Sequence, residues 1–193
     1  MVDNLSTQRY SSLFNLPKGI HYSFYEEDIL KVDLRSLFRN IDKVIHLAAI
    51  TDATSSFDRK DEVEEVNYLG TKKVVEACMA EGCKLIFPST TSVYGTQKEL
   101  VDEDCEKSEL QPQSPYAETK LKSEEFISRM ASKDKIQASI IRLGTIFGTS
   151  KGMRFHTAIN KFCWQAVLGR PLTVWKTALN QKRPYLGLND AIN

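Results

Sequence analysis

The sequence is poor in the residues that build metal sites and disulfide frameworks. It has four cysteines and three histidines in 193 residues. Cys78, Cys83, Cys105 and Cys163 form no C-x-x-C pair, and no histidine stands at metal-ligand spacing. No metal is expected, and the thiols read as free thiols of a reducing cytosol. No run of 18 apolar residues occurs, so no spanning helix is expected. The opening "MVDNLSTQRY" lacks the apolar stretch of a signal peptide. Together these absences predict a soluble, cytoplasmic protein with no membrane partner. An excess of charge is missing too: 26 basic residues face 25 acidic ones, for a net charge of +1. Nothing there recommends nucleic acid as a partner. Neither an internal repeat nor a low-complexity segment is present.

What is present is an ordinary globular composition, 41% hydrophobic and 26% charged, in one alternating pattern. "GIHYSFYEED" (19–28) is a short aromatic strand-like run. "DLRSLFRN" (33–40) has Leu34, Leu37 and Phe38 at helical spacing behind Asp33 as N-cap. "KVIHLAA" (43–49) is a continuous apolar run, expected as a strand buried on both faces. Over 61–82, Val63, Val66, Gly70, Val74, Ala77 and Cys78 lie along one helical stripe that stops at Gly82. "CKLIFPS" (83–89) is a second buried strand, followed by a polar loop over about 96–115 and a helix to about Met130. "ASIIRLGTIFG" (138–148) is a third strand, and a helix follows around 154–168. Strand, helix, strand, helix, strand predicts right-handed crossovers and a parallel sheet. The fold class expected is α/β, a doubly wound, Rossmann-like parallel sheet.

In such folds ligands sit beyond the carboxyl ends of the strands. The residues there are His46 to Ala49, Ser89 to Ser92, and Gly144 with Thr145, small and hydroxyl-bearing for the most part. Small residues also fit tight turns, so no one of these segments decides the matter. The stretch "QSPYAETKLKSEEF" (113–126) starts a helix with Ser114 as N-cap and Pro115 at the first helical position. Tyr116 and Lys120 then share a face, one turn apart. Spacing alone leaves them as either an exposed pair or a functional one.

Taken together, these stretches resemble the extended short-chain dehydrogenase/reductase family, in particular its NAD-dependent nucleotide-sugar epimerases and dehydratases. "VDNLS" (2–6) resembles the end of the family's second strand, where an acid meets the adenosine ribose. "EEDILK" (26–31) resembles the Asp-hydrophobic pair flanking adenine. "VIHLAA" (44–49) is similar to the strand end beneath the cofactor, and "VNYLGTKKVVEA" (66–77) to the family's Asn-x-x-Gly-Thr helix. "PSTTSVYG" (88–95) resembles the active-site Ser/Thr segment, "YAETK" (116–120) the Tyr-x-x-x-Lys motif, and "RPYLGLND" (183–190) a late segment whose arginine faces a substrate diphosphate. The resemblance covers nearly the whole chain.

The resemblance implies NAD as cofactor, a nucleotide sugar as substrate, and a set of site residues. Thr90, Tyr116 and Lys120 are the implied catalytic residues. Asp3, Asn4, Asp28, Ile29, Leu47, Ala48, Ala49, Asn67 and Ser89, with Tyr116 and Lys120, are implied to bind cofactor. Thr91, Thr145 and Arg183 are implied to bind substrate. The chemistry is coherent. A tyrosine of ordinary pKa near 10 is a poor base at neutral pH, and an adjacent ammonium favours its phenolate. Tyr116 then takes a proton from a sugar hydroxyl as a hydride leaves the same carbon, with Thr90 donating to the developing carbonyl oxygen. Asp3 at a strand end accepts from a ribose 2′-hydroxyl and repels a 2′-phosphate, favouring NAD over NADP, although a plain turn aspartate would look the same.

Within the family, the 4,6-dehydratases carry Asp-Glu directly after the active-site Thr, and this chain has Thr91 and Ser92. The expectation is therefore chemistry like that of UDP-glucose 4-epimerase. Alternatives stay open: an NAD(P)-dependent reductase or dehydratase of a nucleotide sugar, or a non-catalytic remnant that serves as an interaction module. Thr145 stands where the epimerases commonly have Asn, and Gly187 where His is common, so the sugar is open. The family's opening strand and G-x-x-G-x-x-G turn, a βα unit of roughly 30 residues, have no counterpart here. The sheet is thus expected to be truncated at its first strand-helix unit and to show a gap or a different pairing, with weak NAD binding by these residues alone. Residues 1–150 are expected to form an incomplete cofactor-binding domain, and 151–193 the beginning of the substrate-binding region. The resemblance also implies a homodimer paired through helices 61–82 and 116–130, to whose apolar outer face Met79 and Phe126 would contribute; inward packing of both is the alternative.

Overall fold

The expected strands and helices form in the expected order. The computed structural model describes residues 1–95, 101–155, 157–174, 176, 179, 180 and 182–193. These fall into two units, Met1–Asn4 with Tyr22–Arg142, and Leu5–His21 with Leu143–Asn193.

In the first unit, β1 (Val2–Asp3) pairs parallel with β2 (Tyr25–Glu26). A separate three-stranded sheet has the order β3 (Lys43–Ile45), β4 (Lys84–Thr90), β5 (Ala138–Leu143). β3 and β4 run parallel with Val44 opposite Leu85. β1 and β3 thus belong to different sheets, which is the gap expected between them. α1 (Leu34–Phe38) is capped by Asp33, whose carboxylate accepts from Ser36 N. α2 (Lys60–Val63), a π-helical turn over Glu64–Leu69 and α3 (Gly70–Glu81) follow one another directly. Gly82 ends α3 in the left-handed region at φ +74°, a conformation that suits glycine. α4 spans Pro115–Ala131. Of the polar loop expected before it, residues 96–100 lie outside the described residues.

The core of this unit joins Val74, Val75 and Cys78 of α3, Leu85 and Phe87 of β4, and Phe126 and Ile127 of α4. Phe126 belongs to that core and Met79 packs against it, so both take the inward orientation. The run 43–49 is not buried on both faces as expected. His46 is buried, but Ile45 is 59% and Leu47 71% exposed. α3 and α4 cover the sheet face that carries His46 and Phe87, and alternation sends Ile45 and Leu47 to the other face.

In the second unit, β6 (Thr145–Phe147) pairs parallel with β7 (Tyr185–Gly187), beside α5 (Ala158–Val167) and α6 (Leu188–Ile192). The single strand expected over 138–148 is therefore two strands broken at Gly144. A Cβ on Gly144 would stand 2.8 Å from the Pro184 carbonyl oxygen, which explains the glycine there. Residues 5–21 are tied in by the Arg9 guanidinium, which donates to Gly152 O at 2.8 Å, and by Lys151 Nζ, which donates to Phe14 O at 2.6 Å. Among the described residues, no helix is long and apolar enough to cross a membrane.

Candidate active site

The start of α4 is built locally, as its sequence suggests. Ser114 Oγ accepts from Ala117 N at 3.2 Å, and Pro115 occupies the first turn where its missing N–H leaves nothing unpaired. Tyr116, half-buried, receives further support through its backbone N–H, which reaches Ser56 Oγ at 3.4 Å. Lys120 is only 6% exposed, so the pair is not an ordinary solvated one. Its Nζ donates to Pro88 O at 2.7 Å and sits 4.4 Å from the centroid of the Phe87 ring. Burial pushes the ammonium down from 10.5 to about 8, while Glu124 pulls the other way. At neutral pH Lys120 therefore remains mainly a cation, buried beside the end of β4.

Thr90 closes β4 and is buried. Its Oγ1 accepts from Ser92 N at 3.1 Å, capping the short 3-10 turn Thr91–Tyr94. A hydroxyl that accepts there keeps its own proton for a further acceptor. Thr91 and Ser92 are half-buried on that turn. Strand alternation turns Ser89 to the other face, where its hydroxyl donates to Glu124 Oε1. The side chain of Ser89 is thus engaged with α4.

Asn67 holds the segment after β3 to the helices. Its Oδ1 accepts from Ile50 N at 2.7 Å and its Nδ2 donates to Ile50 O at 2.9 Å. The same Nδ2 approaches Thr119 Oγ1 at 3.3 Å, and Thr119 donates in turn to Tyr116 O at 2.9 Å. The π-helical turn that contains Asn67 is the kind of irregularity that re-aims side chains at functional sites. Thr71 Oγ1 donates to Asn67 O at 2.5 Å, so at its 3.0 Å contact with His46 Nε2 the histidine is the donor. His46 is neutral there, because burial, with Lys120 adding to it, pushes its pKa down to about 3.

The remaining candidates occupy strand ends. Asp3 and Asn4 are exposed at the end of β1. Asp28 shapes the turn after β2, its carboxylate accepting from Leu30 N at 2.9 Å. Ile29 is buried against Gly70, whose position leaves a Cβ only 2.8 Å from Ile29 Cδ1. Ala48 and Ala49 are half-buried after β3, next to exposed Leu47. In the second unit, Thr145 N donates to Pro184 O at 3.0 Å, which brings Thr145 and Arg183 to one end of the β6–β7 pair. Both side chains are exposed. Among the described residues no cluster of three metal-ligating side chains occurs. Sequence reasoning missed Ser56, Thr119, Glu124 and Arg142 as members of the site's surroundings. Of these, Glu124 alone carried a local signal, standing four residues after Lys120 on the same helix.

Parallel strands with small and hydroxyl-bearing residues at their carboxyl ends, and a buried lysine one turn from a tyrosine, define a Rossmann-like domain. The chain belongs to the NAD dependent epimerase/dehydratase family, whose model matches residues 2–193. It is 30% identical over 188 residues to an uncharacterized UDP-glucose epimerase of Bacillus subtilis, covering 95% of this chain and 57% of that protein. To dTDP-D-glucose 4,6-dehydratase of mouse it is 35% identical over 156 residues, covering 77% of this chain and 43% of the relative. The structure of UDP-glucuronic acid 4-epimerase from Bacillus cereus, in complex with UDP-glucuronic acid and NAD, superposes with a TM-score of 0.83 at 30% identity. That match covers 99% of this chain and 61% of the other. The chain thus spans about half the length of the curated relatives it matches. NAD is the cofactor of the family.

Proposed function

We propose that the protein is an NAD-dependent nucleotide-sugar epimerase acting at a hydroxyl-bearing carbon, with UDP-glucose-like sugars as its substrate class. The observation that carries this reading is the burial of Lys120 one turn from Tyr116, beside the end of the strand that carries Thr90. Tyr116 takes the sugar hydroxyl proton, and the Lys120 ammonium stabilises its phenolate. Thr90 donates its remaining proton to the oxygen that becomes a carbonyl.

The residues present fit NAD. Asp3 offers an exposed carboxylate at the end of β1 for ribose hydroxyls. Lys120 carries three ammonium protons, of which one goes to Pro88 O, and so has donors for a second ribose. Ala48 and Ala49 leave space after β3. What NAD supplies when bound is a reversible two-electron acceptor for the hydrogen on the reacting carbon. Asn67 acts by holding the segment after β3, and Thr91, Thr145 and Arg183 are proposed to contact the nucleotide sugar.

Epimerisation is favoured over dehydration because Thr91 and Ser92, which follow Thr90, offer no carboxylate to serve as the acid and base of water elimination. Proton NMR of the products from UDP-glucose and UDP-glucuronic acid with NAD tests this. A C4 epimer is expected; a 4-keto-6-deoxy sugar would move the protein to the dehydratases of its family. Pairing of two chains through Met79 and Phe126 is not part of the proposal, since both pack inward.

A further inference from the structure

The first unit buries a second polar cluster beside the Tyr116–Lys120 turn. Glu124 lies one turn after Lys120 on α4 and is 5% exposed. Arg142 of β5 grips its carboxylate, with Nη2 on Oε2 at 2.7 Å and Nε on Oε2 at 3.1 Å. Ser89, the residue directly before Thr90, donates its hydroxyl to Oε1. Arg142 Nη1 donates to the Tyr94 hydroxyl at 3.0 Å, and the guanidinium lies 4.8 Å from the Tyr94 ring centroid. Tyr94 is the last residue of the turn that Thr90 caps. The cluster therefore holds the segment from Ser89 to Tyr94 at both ends and fixes it to α4.

A buried ion pair of this kind adds little net stability, because desolvating two charges offsets most of their attraction. Stability alone does not account for placing it here. We propose that Glu124, clamped by Arg142, is a positioning residue: it sets the Thr90 segment against the helical turn bearing Tyr116 and Lys120, and it keeps an anion one turn from the Lys120 ammonium. The inference rests on the reading of Thr90, Tyr116 and Lys120 as the catalytic set. The charged and titratable groups around Lys120 are neutral His46, just past β3, and Tyr116 and Glu124 on α4, while Arg142 of β5 faces Glu124 and Tyr94. Glu124 is the carboxylate among them, and Arg142 engages it directly.

The test reads Lys120 itself. In protein labelled with 13C-lysine, the Lys120 side-chain resonance is followed through a pH titration without cofactor or substrate. The Glu124→Gln variant is expected to titrate Lys120 about one pH unit lower than the unsubstituted protein. Glu124→Asp is expected to restore most of the difference. Glu124→Gln leaves Arg142 buried without its anion, so the paired variant Glu124→Gln/Arg142→Gln removes both charges and keeps the fold testable; it is expected to shift Lys120 in the same direction by less. In turnover of a nucleotide sugar, kcat is expected to fall about 10- to 100-fold in Glu124→Gln with KM nearly unchanged. An unmoved Lys120 titration in a folded variant, or unchanged kcat, overturns the proposal. A lack of turnover by the unsubstituted protein bears on the proposed function and not on Glu124, and the titration alone then decides on Glu124.

Discussion

Replacing Lys120 by methionine should stabilise the protein while abolishing the proposed chemistry. Lys120 is 6% exposed, and burial lowers its pKa from 10.5 to about 8. Lowering a pKa tenfold in acidity corresponds to about 1.4 kcal/mol, so keeping the ammonium charged in the fold near neutral pH costs about 3 kcal/mol. Methionine has nearly the same length and no charge, but it leaves the Pro88 carbonyl without its donor, which returns about 1 kcal/mol. The net expectation is a gain of about 2 kcal/mol near pH 7. The gain must depend on pH. Between about 8 and 10.5 the unfolded chain holds a proton on Lys120 that the native chain has released, so the unsubstituted protein grows more stable as pH rises through that window. Lys120→Met lacks this response, and its advantage shrinks accordingly. Urea unfolding of both proteins at about pH 7 and about pH 10 measures the two differences. A methionine variant that is less stable near neutrality, or a gap that ignores pH, would show that the buried ammonium carries no such cost.

The same geometry sets expectations at three other positions. His46, with its pKa pushed down to about 3, stays neutral in the fold while the unfolded chain takes up a proton below about 6.5, so acid removes about 1.4 kcal/mol per pH unit across that window. His46→Gln should flatten this part of the acid-unfolding profile, and an unchanged slope would contradict the assignment. Gly95, which follows the Thr91–Tyr94 turn, has φ +71° and would place a Cβ 2.5 Å from Gln111 O. Gly95→Ala is therefore expected to cost about 1–3 kcal/mol in chemical denaturation, and an alanine variant of native stability would show the position to be unstrained. Glu124→Gln is expected to lower the pH at which Lys120 titrates, read by 13C NMR of the labelled lysine.

The parts legible in the sequence were those decided locally. Ser114 and Pro115 announce the start of α4, and Tyr116 and Lys120 share a face by spacing alone. Gly82 marks the end of α3 because a left-handed residue is needed there. What the sequence hid was set by distant partners. The apolar run 43–49 reads as a doubly buried strand, yet only the face toward α3 and α4 is covered, leaving Ile45 and Leu47 exposed. The stripe Val63, Val66, Gly70, Val74 reads as unbroken α-helix, and no propensity announces the π-helical turn around Asn67. Gly144 breaks a run that looks continuous because the Pro184 carbonyl, forty residues on, occupies the space of its missing side chain. Ser89 and Thr90 are neighbours in sequence and similar in chemistry. Alternation sends Ser89 to Glu124 and leaves Thr90 on the other face, capping the turn at Ser92.

The proposed role of Tyr116 as base is tested most directly by turnover of UDP-glucose or UDP-glucuronic acid with NAD, comparing the unsubstituted protein with Tyr116→Phe and separating the epimers by chromatography. Removing the phenol oxygen takes away the proposed base and keeps the ring on α4. Epimer formation is expected from the unsubstituted protein, with a loss of about 10³-fold or more in kcat for Tyr116→Phe. Equal rates in the two proteins would contradict that role.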